Sequence, residues 1–366
     1  MSLSFKPPWF LRSGLAMTLY TALGAQRQGF QQLALGEPLY EAQVLFGAGG
    51  VPLFTWLARP ARPKGTLIAT YGITGDLENQ WFLRLLGQQA YRQGYAVLLF
   101  DWRGHGKTAP LSPTLTSDGL YEGEDFVHLA AQAKALGCPA PFWLAGYSLG
   151  GQLALWGIYK SQSVQDWGPQ LAIQSEEIAG GVALCPSLES ERSLRYLMAH
   201  PIGRFLEQRI TQNLKQLAHQ LYQYHPQAFN PVAIERANSI WSFDQELVIG
   251  RLGFASVPDY YQASSALTLL PQLHKPTLIL YAADDPLFDP TLIPELQAIA
   301  QGNPALDLAL TQYGGHVGYI SSRPCQAEWG DPDPWWAIHR TLHWLQAGTS
   351  AIQASRANWG LVPSPG

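Results

Sequence analysis

The sequence predicts an α/β fold: a mostly parallel central sheet flanked by helices, with one helical cap insertion. Three observations carry this expectation. From residue 41 to about 185, short apolar runs alternate with longer helical patterns, the signature of βαβ units. The rhythm stops between 187 and about 270, then resumes in "KPTLILYAADDP" and "LDLALTQYGGHVG".

The elements follow in order. "EAQVLFG" and "VPLFTWLARP", separated by "AGG", read as an opening hairpin. "GTLIATYG", "YAVLLFDWRG", "PFWLAGYS" and "GGVALCPS" read as buried strands, with helical patterns between them at 78–93, 121–136 and 149–160. In "PIGRFLEQRITQNLKQLAHQLYQY", Leu206, Ile210, Leu214, Leu217 and Leu221 make one apolar helical stripe, and Pro201 suits a first helical turn. An interval this long exceeds any ordinary link between neighbouring strands, so it reads as an insertion over the sheet. Helices are expected at 291–301 and 334–346. The expected organisation is an N-terminal arm at 1–40, a core at 41–186 and 271–347, a helical cap at 187–270, and a weakly ordered tail at 348–366 rich in Gly, Pro and Ser.

Composition narrows the function. Apolar residues make up 47% of the 366-residue chain and charged residues 14%, with a net charge of −4. No basic stripe matches a phosphate backbone, so nucleic acid is not an expected partner. Cys138, Cys185 and Cys325 lie far apart without metal or redox spacing, which suits a reducing, cytoplasmic setting. The first residues combine a small positive region with a short apolar run, but Pro7, Pro8, Arg12 and Gly14 interrupt what a secretory signal would need. No run reaches the length of a membrane span. Leu11, Leu15, Leu19 and Leu23 stand four apart near Lys6 and Arg12, so residues 1–24 are a candidate peripheral membrane contact; packing of this arm over the core is the preferred reading.

The chemistry centres on "AGYSLGG". A strand ends at Ser148 and a helix begins at once, so the turn must be tight. Gly146 and Gly150 lack the Cβ atoms that would collide there, and the strain lifts the serine oxygen above the sheet. The plain alternative is an ordinary serine where a strand meets a helix. Its placement after earlier strands favours a nucleophile elbow.

A serine hydroxyl needs a base in hydrogen-bond reach and a carboxylate to orient that base. On an elbow of this kind the acid and then the histidine follow the serine in the chain. "LILYAADDPLFDP" supplies Asp284, Asp285 and Asp289 just beyond a strand; Asp285 is favoured, Asp284 is the alternative, and Asp289 suits a helix cap. His316 in "QYGGHVGY" lies beyond the next strand. His105 precedes the serine and is disfavoured as base, while His128, His200, His219, His225, His274, His339 and His343 fall on helical or linking segments. The oxyanion donors are expected to be the N–H groups of Leu149 and of Ile73 in "TYGITGD".

At these residues the chain resembles a known family. "YGITGD", "FDWRGHGKT", "LYEGEDF", "GYSLGG", "FDQELVIGRLGFASVPDYYQASSA", "KPTLILYAADDP" and "GGHVGY", in this order, resemble the YheT-like branch of the α/β-hydrolase superfamily, from about Phe5 to about Gln346. The resemblance implies an α/β-hydrolase fold and a serine hydrolase acting on small-molecule carboxylic esters. It implies Ser148, Asp285 and His316 as the triad, with no metal or organic cofactor, and a cap that shapes the acyl pocket. Two departures stand out. Tyr71 occupies the place where the family usually has His before the oxyanion glycine, and "GLAMTLY" replaces a His-x-Gln-Thr type segment.

Three function classes follow. The first is ester hydrolysis through an acyl-enzyme, with Leu206, Ile210, Trp241 and Phe243 as apolar candidates for the bound group; thioester cleavage or acyl transfer would use the same residues. The second is a ligand-binding protein that kept the fold without catalysis. The third is a hydrolase acting at a membrane surface. Acyl length, alcohol and oligomeric state do not follow from the sequence.

Overall fold

Branched and aromatic residues fill the apolar runs, and these runs become eight strands: β1 (Glu41–Phe46), β2 (Pro52–Ala58), β3 (Thr66–Thr70), β4 (Ala96–Phe100), β5 (Phe142–Tyr147), β6 (Ile178–Leu184), β7 (Thr277–Ala282) and β8 (Leu306–Thr311). The computed structural model describes residues 4–167 and 171–358, without the side chains of 353–358. The strands form one sheet in the order β1-β2-β4-β3-β5-β6-β7-β8. β1, β2 and β4 pair antiparallel; every other pairing is parallel.

Strands β3 to β7 are buried along their whole length, because helices cover both faces of the sheet. That is why these segments read as unbroken apolar runs rather than alternating ones. Helices Trp81–Arg92, Gly123–Ala135, Leu149–Lys160 and Leu292–Gly302 fall on the expected patterns. Parallel strands put their carboxyl ends at one edge, and the loops after β3, β5, β7 and β8 meet there.

Between β6 and β7 the described residues are helical or irregular, with helices Ser190–Ala199, Pro201–Tyr224 and Val257–Ser264 among them. Their apolar residues form a second cluster around Leu214, Leu221, Phe243 and Tyr260, apart from the main core. Along Pro201–Tyr224 the most buried line is Gly203, Glu207, Thr211, Leu214, Ala218 and Leu221. Glu207 can sit there because its Oε1 accepts from the Ile240 N–H at 2.7 Å and the Thr211 hydroxyl at 3.0 Å. Ile210, Leu214 and Leu217, from the expected stripe, line the cavity above Ser148.

One expectation is corrected. The last helix runs Trp336–Asn358 and not only to 346, so the tail is not loose from 348: Gly348 lies against the Trp143 ring, and Thr349 Oγ1 meets Tyr95 Oη and accepts from Trp143 Nε1, both at 3.0 Å. The rest of the expected tail, 359–366, lies outside the described residues. In the arm, Leu11, Gly14, Met17, Thr21 and Ala25 are buried, Leu15 is half-buried, and Leu19 and Leu23 are exposed, so the leucine stripe is divided between core and surface. The arm lies close to the loops after β7 and β8: a Cβ on Gly14 would fall 1.6 Å from the Asp284 carbonyl oxygen, and one on Gly315 would fall 2.5 Å from the Gly14 carbonyl oxygen.

Candidate active site

Ser148 closes β5 and precedes helix Leu149–Lys160, with φ 54° and ψ −123°, a conformation that a non-glycine residue adopts only under strain. A Cβ on Gly146 would lie 1.9 Å from the Gly150 carbonyl oxygen, and one on Gly150 would lie 2.1 Å from the Tyr71 carbonyl oxygen. Only glycines allow that crossing of strand, turn and helix. The elbow is further fixed by the Ser148 N–H donating to Leu184 O at 2.9 Å.

His316 Nε2 lies 2.8 Å from Ser148 Oγ, and His316 Nδ1 lies 2.8 Å from Asp285 Oδ2. The three residues come from the loops after β5, β7 and β8. Asp285 Oδ1 accepts from the Leu287 N–H at 2.9 Å, so each carboxylate oxygen has one job. Asp284, next to it, turns the other way: its Oδ1 accepts from the Gly315 N–H at 2.9 Å, and burial raises its carboxyl above the usual range. Asp289 is not the expected helix cap: the N-cap of the following helix is Thr291, and Asp289 Oδ1 accepts from the Thr291 N–H at 2.8 Å in the turn before it. Phe288 sets its ring edgewise to the His316 imidazole, 5.3 Å between centres.

Cys185 lies beneath this set with φ 45°, its Sγ 3.4 Å from the Val317 N–H and 3.5 Å from the Tyr319 hydroxyl. Its sulfur, a carboxylate oxygen of Asp285 and a ring nitrogen of His316 lie within 4.8 Å of one another, a spacing open to a metal. Both imidazole nitrogens already face Oγ and carboxylate, and burial pushes the thiol up, toward its protonated form. The donor set therefore fits proton transfer between side chains better than metal ligation.

Leu149 is the first residue of its helix, where the N–H has no intrahelical acceptor. Across from it, a Cβ on Gly72 would fall 2.8 Å from the Ser148 Cβ, which shows how closely the loop after β3 approaches. In that loop the Gly75 N–H goes to Gly72 O and the Thr74 N–H to His105 Nε2 at 3.1 Å. Ile73 is left between them, lining the same cavity as Ser148 and Leu149.

His105 is thus a brace for the loop. Its Nδ1 lies 3.0 Å from Arg103 O, its ring stacks on Trp102 at 3.7 Å, and burial lowers its pKa to about 4, which keeps it neutral with the proton on Nδ1. Tyr71 is a second brace: its hydroxyl donates to Asp101 Oδ1 at 2.6 Å, and the same carboxyl accepts from the N–H groups of Leu77 at 2.9 Å and Lys107 at 2.8 Å. Burial lifts Asp101 to about 6. The departure at Tyr71 therefore has a defined hydrogen-bond partner.

A cavity of about 1000 Å³, counting its open mouth, rises from Ser148 beneath the cap. Of the apolar candidates named from sequence, Ile210 and Phe243 line it; Leu206 is half-buried elsewhere, and Trp241 packs edgewise on Tyr261 at 5.9 Å. Sequence reasoning did not single out Asp118 and Asp244, which also line the cavity, nor Thr18 of the arm, whose Oγ1 accepts from the His316 N–H. "LYEGED" and "FDQELV" flank the two acids, but nothing in their spacing brings them together.

Comparison with known proteins gives the family. Residues 65–322 match the family described as the alpha/beta hydrolase fold. A Synechocystis sp. protein named "Putative esterase slr0264" is 60% identical over 93% of this chain and 94% of its own length. "Putative esterase YheT" of Escherichia coli is 27% identical over 72% of this chain and 74% of its own length. "Phospholipase ABHD3" of Mus musculus is 27% identical over 71% and 59%. Among solved structures, an esterase of Pyrococcus furiosus shares the fold with a TM-score of 0.55 at 18% identity, covering 87% of this chain and 95% of that one. The chain belongs to the alpha/beta hydrolase fold family, in its YheT-like, esterase-related branch.

Proposed function

We propose that the protein hydrolyses carboxylic esters through an acyl-enzyme, with Ser148 as nucleophile, His316 as base and acid, and Asp285 as the carboxylate that fixes the imidazole tautomer. The observation that carries this reading is the unbroken chain of contacts, Ser148 Oγ to His316 Nε2 and His316 Nδ1 to Asp285 Oδ2, each 2.8 Å. Ser148 Oγ adds to the ester carbonyl carbon while its proton passes to His316 Nε2. The carbonyl oxygen becomes an oxyanion facing the N–H groups of Leu149 and Ile73. The tetrahedral centre collapses, the C–O bond to the alcohol breaks, and His316 returns the proton to the leaving oxygen. Water then adds to the acyl-enzyme carbonyl with His316 as base, and the acid leaves Ser148.

The apolar cavity wall, with Ile210, Leu214 and Phe243, supports a substrate carrying a hydrophobic acyl or alcohol group. Thioester cleavage and acyl transfer would run on the same residues. Among the described residues no helix is long and apolar enough to cross a membrane. The exposed Trp9, Phe10 and Leu23 support contact of residues 1–24 with a lipid surface. Three free, buried cysteines suit a reducing, cytoplasmic setting.

The test is a fluorophosphonate probe followed by a series of nitrophenyl esters of increasing chain length. Wild type is expected to be labelled at Ser148 and to turn over at least one ester, and Ser148→Ala to do neither. Well-folded wild type that resists the probe would favour the binding-protein alternative.

A further inference from the structure

The cavity over Ser148 is apolar along most of its wall, yet two carboxyls open into it. Asp118 comes from the core, on the loop before helix Gly123–Ala135, and Asp244 from the cap, just after helix Ile240–Phe243. Arg103 is the only permanent cation among the described residues lining the cavity, and its guanidinium is already held by both Asp125 oxygens at 2.8 and 2.7 Å. Asp244 accepts from the Tyr261 hydroxyl. Burial raises both acids, Asp244 to about 7, and the charge on Asp244 raises Asp118 further.

Two further features belong to the same cavity. Asp118 has φ 52°, a left-handed conformation that costs a non-glycine residue about 1–3 kcal/mol and is kept where the surroundings demand it. Ser193, 5% exposed, lines the cavity with an Oγ that has no hydrogen-bond partner among the described residues. A buried hydroxyl left unpaired costs about 1–3 kcal/mol. A donor group on a ligand would give Ser193 a partner and add to the contacts the acids already have, from Tyr261 on Asp244 and from Tyr260 beside Asp118.

We propose that Asp118, Asp244 and Ser193 form a polar subsite for a hydrogen-bond-donating group, a hydroxyl or an ammonium, carried on the apolar chain of the ester whose carbonyl sits at Ser148. This rests on the hydrolase reading of Ser148. The subsite gives the cavity a chemical address: an apolar chain is accepted along its length, and a donor placed at one distance from the ester is selected. The competing role for the acid pair is a tether between cap and core, which would confer no preference among ligands.

The experiment uses Ser148→Ala protein, titrated by calorimetry with esters of one chain length. They are unsubstituted or carry a hydroxyl or an ammonium at successive carbons. At least one substituted ester is expected to bind at least about tenfold tighter than the plain one, roughly 1.4 kcal/mol. A hydroxyl advantage and an ammonium advantage assign the donor class. In the added substitution Asp244→Leu the advantage falls to about one; in Asp244→Asn, which keeps volume and an acceptor oxygen, an ammonium advantage is lost and a hydroxyl advantage is reduced. Equal binding of plain and substituted esters at every position overturns the proposal, as does an advantage that survives Asp244→Leu, Asp244→Asn and Asp118→Asn. Selective binding in a protein whose wild type hydrolyses none of these esters would leave the subsite standing and remove the hydrolase reading.

Discussion

The backbone N–H of His316 donates to Thr18 Oγ1 at 2.8 Å, across 298 residues of sequence. Thr18 Oγ1 donates in turn to Gly14 O at 2.7 Å, so the arm both accepts from the histidine loop and anchors its own helix there. The arm is therefore part of what positions the imidazole. Thr18→Val keeps the shape and removes the acceptor, leaving a part-buried N–H unpaired at a cost of about 1–3 kcal/mol. We expect kcat on a nitrophenyl ester to fall about tenfold with KM little changed, and Thr18→Ser to restore it. Wild-type kcat in Thr18→Val would remove the arm from the positioning machinery.

Two adjacent acids on one loop make opposite predictions. Asp285→Asn breaks the contact to His316 Nδ1 and presents a donor where an acceptor is required, so kcat is expected to fall by roughly 10³ to 10⁴ with the fold intact. Asp284→Asn keeps an oxygen for the Gly315 N–H and relieves a buried carboxyl whose Oδ2 has no partner among the described residues. Its kcat is expected to stay within about tenfold of wild type. Steady-state rates of the two variants, side by side, identify the acid; equal losses would contradict the geometry.

How far the sequence could be read follows from where each constraint lies. The elbow at Ser148 was legible because the strand, the glycines and the helix are neighbours in the chain. His316 was legible because it follows a strand and stands beside glycines. Asp284 and Asp285 follow the same strand by nearly the same distance, and only side-chain direction separates them. Thr18 was not legible, since its partner is remote in sequence. The arm was legible only in part for a related reason: leucines four apart mark an apolar helix but not which side packs, and Leu11 is buried while Leu19 and Leu23 are exposed. The last helix ran past its expected end because Thr349, a polar residue read as tail, finds buried partners in Tyr95 and Trp143.

The neutral state of His105 predicts a pH dependence with a definite sign. Its pKa is about 4 in the fold against 6.5 for the free side chain, because burial disfavours the imidazolium. Above pH 6.5 neither state binds the proton and the contribution is fully present. As pH falls from 6.5 toward about 4 the unfolded chain takes up a proton that the folded chain refuses, and roughly 3 kcal/mol of stability is lost. His105→Gln can accept from the Thr74 N–H without titrating. Denaturant unfolding across this range is expected to show wild type losing its advantage over His105→Gln as pH falls. Parallel stability curves would show that His105 is not held neutral.

The exposed face of the arm makes the last prediction. Trp9 and Leu23 are each 80% exposed, and Phe10 sits edgewise to both Trp9, at 5.7 Å, and Tyr20, at 6.2 Å, so the three rings form one surface, with Leu23 three residues beyond Tyr20 in the chain. From residue 4 to residue 36 the chain carries Lys6, Arg12 and Arg27 and no Asp or Glu, although its net charge is −4; Lys6 pairs with Glu328 at 2.7 Å, so the arm's positive charge beyond that pair is Arg12 and Arg27. An aromatic and aliphatic patch beside basic residues is the combination that inserts at an anionic lipid interface. A two-fold contact between copies of this chain would instead bring these like charges together. Flotation with vesicles containing anionic phospholipid is expected to carry wild type upward, with less carried by vesicles of neutral lipid alone. The triple variant Trp9→Ala, Phe10→Ala, Leu23→Ala, whose substitutions touch no buried contact of the triad, should remain at the bottom of the gradient while still hydrolysing a soluble nitrophenyl ester. Equal flotation of variant and wild type would remove the lipid contact, and loss of soluble-ester turnover in the variant would mean that the patch serves the fold instead.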